Sequence, residues 1–159
     1  MAKIRVYVDT SVFGGVYDEE FAEPTQSFFD RVRAGEFTIL VSRQVTEELD
    51  PAPDTVRSVL TSLPVELLEE IRIDDEVRAL AQAYVDVGVL GPNAEGDAVH
   101  VAAATVGRAD VLLSWNFKHL VRYENIRKFN GVNAIAGYSG IDIRSPLELG
   151  HVHDEEEDI

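Results

Sequence analysis

MAKIRVYVDTSVFGG (residues 1–15) decides how the rest of this chain is read. Ile4, Val6, Tyr7 and Val8 run straight into Asp9, and Thr10, Ser11 and the pair Gly14–Gly15 follow. A run dominated by apolar and β-branched residues predicts a buried strand over residues 3–8. A buried strand that ends on an aspartate has two explanations. The carboxylate caps the helix that follows, or it points into a site.

Outward from that stretch, strand and helix signals alternate. PTQSFFDRVRA (24–34) reads as a helix with Pro24 in its first turn and Gly35 at its end. FTILV (37–41) is a second strand, and Ser42 is an N-cap for RQVTEEL (43–49). Pro51 and Pro53 break that helix, and DTVRSVLTSL (54–63) starts another with Asp54 as cap. EIRI (70–73) is a short third strand. DDEVRALAQAYVDVG (74–88) is an amphipathic helix with Val77, Leu80, Ala81 and Tyr84 on one face and Gly88 past its end. GPNAEG (91–96) is a turn, and DAVHVAAATVG (97–107) is a helix apolar nearly all round, hence central and buried. DVLLSW (110–115) is a fourth strand. NFKHL (116–120) starts a short helix, YENIRKFNGVNAIAGY (123–138) holds another, and IDIR (141–144) is a fifth strand against which SPLEL packs. Strands separated by helices imply right-handed crossovers and a mainly parallel sheet covered on both faces. In such sheets ligands gather outside the carboxyl ends of the strands.

The whole chain narrows the function. Its 159 residues, 45% hydrophobic, suit one folded domain. No cysteine is present, which excludes disulfides, thiolate zinc sites and a cysteine nucleophile and suits a reducing cytoplasm. Lys3 and Arg5 interrupt the N-terminal apolar run, so it does not read as a signal peptide. No stretch approaches the roughly 20 apolar residues of a membrane span. The net charge is −15, with 14 basic against 29 acidic residues. Five of those acids form the tail DEEED (154–158), so about −10 remains without it. Such a field opposes the approach of a polyanion, and any nucleic-acid chemistry has to overcome it.

Polar residues stand at the strand ends. Asp9 closes the first strand, Ser42 and then Glu48 follow the second, Asp97 opens the Ala-rich helix, and Asn116 lies just past the fourth strand. Singly, Asp9, Asp97 and Asn116 are good helix caps, each worth about 0.5–2 kcal/mol. Glu48 alone reads as a solvated helix residue, and Glu47 more so. Together they read differently, because three caps and a solvated glutamate have no reason to converge on one sheet edge and metal ligands do. Hard oxygen donors without His or Cys suit Mg²⁺ or Mn²⁺ and not zinc. Crowded carboxylates repel unless a cation neutralises them. The reaction class that follows is metal-assisted phosphodiester hydrolysis, with the metal supplying the local positive charge the chain lacks.

VYVDTSVFGG, VSRQVTEEL, GDAVHVAAA and DVLLSWNFKHL, in this order and spacing, are similar to the PIN-domain family, which includes the VapC-type toxins of toxin–antitoxin pairs. The resemblance spans about residues 3–145. It implies a three-layer α/β/α PIN-like fold with a mainly parallel four- to five-stranded sheet, as a domain over 1–149 followed by an acidic tail over 150–159. It implies a ribonuclease dependent on Mg²⁺ (or Mn²⁺), with RNA as substrate. Asp9 matches the family's first acid. Glu48, in V-x-x-E-L, matches the second, with Glu47 as the alternative if the register slips. Asp97, in D-A-x-H, matches the third. The fourth acid falls on Asn116, an amide in place of a carboxylate, which weakens a second metal site more than the first. Thr10 and Ser11 supply hydroxyls beside the first acid. The resemblance also implies a homodimer and an antitoxin partner that lays a segment with a basic side chain into the acidic site.

The remaining polar and aromatic residues have plainer readings. His100 shares a helical face with Asp97 and reads as a packed, bonded histidine, with contact to the site as the other reading. His151 and His153 belong to a solvated tail. Arg108, Lys118, His119, Arg122, Arg127 and Lys128 read as a solvated basic face, although Lys118 and His119 could meet a phosphate. Phe28, Phe29, Val32 and Trp115 read as packing. A haloacid-dehalogenase-type phosphatase needs Asp at position 11, which is Ser, and no phosphate-binding glycine motif is present. The serious rival is a catalytically weak or inactive PIN-fold binding or regulatory module, with Asn116 marking the degraded site.

Overall fold

A computed structural model describes residues 3–149. The acidic tail, with His151 and His153, lies outside the described residues. Five strands form one sheet in the order β3-β2-β1-β4-β5: β1 Ile4–Val8, β2 Phe37–Ser42, β3 Leu68–Ile71, β4 Val111–Leu113 and β5 Ile143–Arg144. Every pairing is parallel, so the sheet is wholly rather than mainly parallel. Seven helices connect them: α1 Thr10–Gly15, α2 Ala22–Arg33, α3 Arg43–Leu49, α4 Asp54–Thr61, α5 Asp75–Val87, α6 Glu95–Val106 and α7 Tyr123–Ala136. The chain moves outward from β1 to β3, then jumps across β1 to β4 and β5. Right-handed crossovers therefore set α1–α4 on one face and α5–α7 on the other. The helix contacts agree, with α1 against α2 and α4, and α5 against α6 and α7.

The apolar run at the start behaves as a strand covered on both faces must. Val6, Tyr7 and Val8 are buried, as are Ile39 and Leu40 in β2 and Leu112 and Leu113 in β4. Phe28, Phe29 and Val32 on α2 are core residues, with Phe28 tilted against Phe37 of β2. The α6 helix is buried from Val101 to Thr105, as its composition requires. Gly88 ends α5 in a left-handed conformation at φ 82°, the geometry that favours glycine.

Several boundaries differ from the sequence expectation. The third strand is Leu68–Ile71 and not 70–73, because a 3₁₀ turn at Val65–Leu67 delivers Leu68 opposite Ile39 two residues early. Asp54 does not cap α4. Pro53 holds that position, and Asp54 sits in the first turn, bonded to Arg57. The Ala-rich helix begins at Glu95, so Asp97 lies in its first turn and not at its cap. Residues 117–120 form a turn rather than a helix, with the Leu120 and Val121 amides both on the Asn116 carbonyl.

Candidate active site

The strand order reverses between β1 and β4, and the carboxyl ends of those two strands are where a doubly wound sheet opens a crevice. Asp9 leaves β1 there. Its amide donates to the Leu113 carbonyl of β4 at 3.0 Å, so the backbone places this carboxylate on the sheet. Asp9 is 4% exposed. Its Oδ1 accepts from the Ser11 amide at 3.0 Å and the Ser11 hydroxyl at 2.5 Å, and its Oδ2 accepts from the Ser114 hydroxyl at 2.6 Å. Asp9 is therefore the N-cap of α1, and it also faces the other acids. The opening alternative was not exclusive.

Two networks meet at this edge. In the first, Ser114 Oγ accepts from the Asn116 amide at 2.9 Å, and Asn116 Nδ2 donates to Asp97 Oδ2 at 3.2 Å. Asn116 Oδ1 accepts from the His119 amide at 2.9 Å, so both ends of this carboxamide are engaged. Ser11 Oγ also accepts from the Trp115 amide at 3.0 Å, which ties α1 to the segment after β4. In the second network, Glu48 Oε1 accepts from Thr10 Oγ1 at 2.6 Å and from His100 Nε2 at 2.8 Å, and its Oε2 accepts from Gln44 Nε2 at 2.7 Å. His100 Nδ1 lies 2.8 Å from Tyr7 Oη, which lies 2.6 Å from Ser42 Oγ, the cap of α3. Gly96 is small because a Cβ there would stand 3.0 Å from Glu48 Oε2. The start of α6 thus closes directly on Glu48.

The electrostatics divide the three acids. Burial pushes the Asp9 carboxyl above its ordinary value; His100, Ser11 and Ser114 oppose this, and the charge of Asp97 adds to it. Burial likewise raises Asp97, with His100 and His119 opposing and Glu48 adding. Burial would raise Glu48 too, but the bond and charge of His100 and the bonds from Thr10 and Gln44 outweigh it and hold this carboxyl at about 2. Asp9, Asp97 and Glu48 are electrostatic neighbours, and among the described residues none of them pairs with a Lys or Arg. No group of three or more His, Asp or Glu side chains close enough to hold a metal ion is present among the described residues. No buried side-chain nitrogen or oxygen among them lacks a partner either. A fit to a cation therefore rests on the chemistry of the donors: hard, mutually repelling oxygens, those of Asp9 buried and those of Asp97 and Glu48 partly so.

Other residues fall into place around this edge. Glu47 is exposed and bonded to Arg43, away from the network. His100 satisfies both of its readings, being 2% exposed and bonded to a candidate site carboxylate. Trp115 packs, stacking on Phe21 with centroids 4.1 Å apart. Arg108 does not join the basic group, because it lies between α6 and β4 at the amino edge of the sheet, where Arg5 holds its carbonyl. Three residues escaped the sequence reading. Ser114 reads locally as part of a strand end, and its hydroxyl bonds Asp9. Tyr7 reads as one more residue of an apolar strand, and its hydroxyl is the buried partner of His100. Gln44 carried a usable signal, since it lies four residues before Glu48 on one helix.

No protein-family model and no curated protein matches the sequence. Solved structures do match in fold. A chain of VapBC2 from Rickettsia felis, bound to a DNA fragment from its promoter, superposes with TM-score 0.57 at 14% identity over 89% of this chain and 98% of that one. A chain of DNA-bound VapBC from Salmonella typhimurium gives TM-score 0.54 at 16% identity over 90% and 98%. Tyrosyl-tRNA synthetase from Aeropyrum pernix gives 0.50 at 11% identity over 90% of this chain and 53% of that one. At identities this low the likeness speaks for fold. With its five parallel strands, its helices on both faces and near end-to-end coverage of the VapBC chains, this protein has a PIN-like fold.

Proposed function

We propose that this chain is a metal-dependent endoribonuclease acting as the toxin of a toxin–antitoxin pair. One observation carries the reading: Asp9, Asp97 and Glu48 are gathered at the carboxyl edge of the sheet, with two of the three carboxyls pushed up by burial and no Lys or Arg paired with them among the described residues. Burial and mutual repulsion of these carboxyls favour a bound cation. Mg²⁺ is commonly held by one or two carboxylates and keeps several waters, so a closed cage of three direct protein ligands is not required. Asp9 and Asp97 are the residues that would hold Mg²⁺ (or Mn²⁺), with Glu48 and Asn116 completing the set. Bound there, the ion supplies charge to the phosphodiester and acidifies a water.

The chain's own residues prepare the site. Ser11 and Ser114 fix both oxygens of Asp9 before anything binds. Thr10, Gln44 and His100 keep Glu48 anionic and oriented. The Asn116 amide steers Asp97 without adding charge. An antitoxin segment bearing a basic side chain is the protein partner this edge suits, steered by the acidic field. A homodimer in a reducing cytoplasm completes the proposal. No described helix is long and apolar enough to cross a membrane.

Calorimetric titration of Mn²⁺ into metal-free protein tests the reading, run beside Asp9→Asn and Asp97→Asn and followed by RNA cleavage. Binding in the wild type and its loss in both variants, with loss of cleavage, is expected. No binding in the wild type at near-physiological salt overturns it and leaves an inert fold.

A further inference from the structure

A polyanionic substrate must reach an acidic edge on a chain of charge −15. One cleft offers the means. A cavity of about 660 Å³ opens beside the site between α3, the β3–α5 segment, α5 and α6. Arg43, Arg72 and Arg78 project into it from three different elements. Gln44 joins it to the site, since this side chain lines the cavity while its Nε2 holds Glu48. Val99 of α6 also lines it.

The charges in the cleft are available. Glu47 and Glu70 also line it. Arg43 pairs with Glu47 at 2.7 Å, but both side chains are largely exposed, at 81% and 61%. Arg78 pairs with Asp75 at 3.3 Å, with Asp75 fully exposed. Exposed pairs of this kind are worth about 0–1 kcal/mol, so a phosphate can displace the carboxylate. Arg72 makes no ion pair among the described residues. Guanidinium groups present fixed donor forks that match phosphate oxygens. The cavity lies within the roughly 300–1,000 Å³ range of small-ligand pockets, room for a short piece of single strand.

We infer that the Arg43–Arg72–Arg78 cleft binds the phosphodiester backbone of a single-stranded RNA and feeds the strand to the neighbouring acidic edge. The inference rests on the ribonuclease reading. It adds the track by which the strand arrives, and it explains how a strongly acidic protein engages an anion: the repulsion is general, and the attraction is local.

The test measures Kd for a fluorescein-labelled single-stranded RNA of about a dozen nucleotides, in a range of salt concentrations with Ca²⁺ present. The double variant Arg72→Gln/Arg78→Gln changes two exposed side chains. It is expected to raise Kd about tenfold and to lower the salt slope by about 1.4, at ~0.7 per lost phosphate contact. Arg127→Gln/Lys128→Gln, on the exposed face of α7, is expected to change neither. Mn²⁺ titration of the first variant is expected to match the wild type. Equal Kd and slope for the Arg72/Arg78 variant and the wild type overturn the track while the Mn²⁺ and cleavage results keep the nuclease reading. A wild type that binds Mn²⁺ but no RNA overturns the track and the RNA substrate together.

Discussion

The pair His100–Glu48 gives the sharpest physical test of the site. His100 donates to a carboxylate held at about 2, against an ordinary 4.5. That gap corresponds to ~3 kcal/mol of preference for the charged form, at about 1.4 kcal/mol per factor of ten. The Glu48 side chain is 33% exposed, and water screens it, so roughly half of that is expected to register as stability. His100 supplies the largest favourable share, with Thr10 and Gln44 remaining after its removal. A double-mutant cycle with His100→Phe and Glu48→Gln isolates the pair, because Phe keeps a ring against Tyr7. Coupling of about 1–1.5 kcal/mol is expected from urea unfolding at pH 7.5. The sign with pH is fixed. The folded-state carboxyl is depressed, so its contribution is complete above the unfolded value of about 4.5 and is lost as pH falls toward about 2. At about pH 3 less than half of it should remain. Measuring on either side of the isoelectric point near 4.5 avoids precipitation. Coupling below about 0.3 kcal/mol at pH 7.5, or coupling that does not change at pH 3, refutes the assignment of Glu48 as an ionised, histidine-held carboxylate.

Three further outcomes are expected. Asp97→Asn should stabilise the protein in chelator at pH 7.5 by about 0.5–2 kcal/mol, because a carboxyl raised by burial costs stability once pH climbs past its folded value; urea unfolding checks this, and the gain should shrink in acid. Gly15→Ala should destabilise by about 1–3 kcal/mol, since its Cβ would meet Trp115 Nε1 at 2.6 Å and Thr25 Oγ1 at 2.9 Å, the two ends of one hydrogen bond; thermal melting and Trp fluorescence report it. Asn133→Ala should cost about 2–3 kcal/mol in the same melt, because it strips the buried Tyr84 hydroxyl of its 2.5 Å partner.

The acidic composition and the residues at the strand ends pull in opposite directions. A net charge of −15 speaks against nucleic acid, whereas acids that repel one another at one sheet edge speak, on the proposed function, for a cation and hence a phosphate. On the proposed function the two are reconciled by separation in space: the acids stand at the carboxyl edge of the sheet, and three arginines from α3, the β3–α5 segment and α5 line a cleft beside them. Summed charge describes the approach of a partner from far away, whereas the cleft acts at contact distance, where screening by salt is weakest.

The sequence by itself determined the alternation of strands and helices, the parallel sheet and the edge at which to look. Those follow from local rules: apolar runs bury, Ser42 and Gly88 cap, and βαβ crossovers have one hand. It also put Asp9, Glu48, Asp97 and Asn116 in order along the chain. Tertiary structure decided what each of them touches. Asp9 and Ser114 are 105 residues apart and bonded at 2.6 Å, and Glu48 and His100 are 52 apart and bonded at 2.8 Å. Tyr7 looks apolar in a strand and becomes polar only because β1 runs beneath α6. The β3 boundary slipped where pairing register overruled the local signal. Caps and periodicities are written within a few residues. Contact between strand ends is written by the packing of helices that cross the sheet.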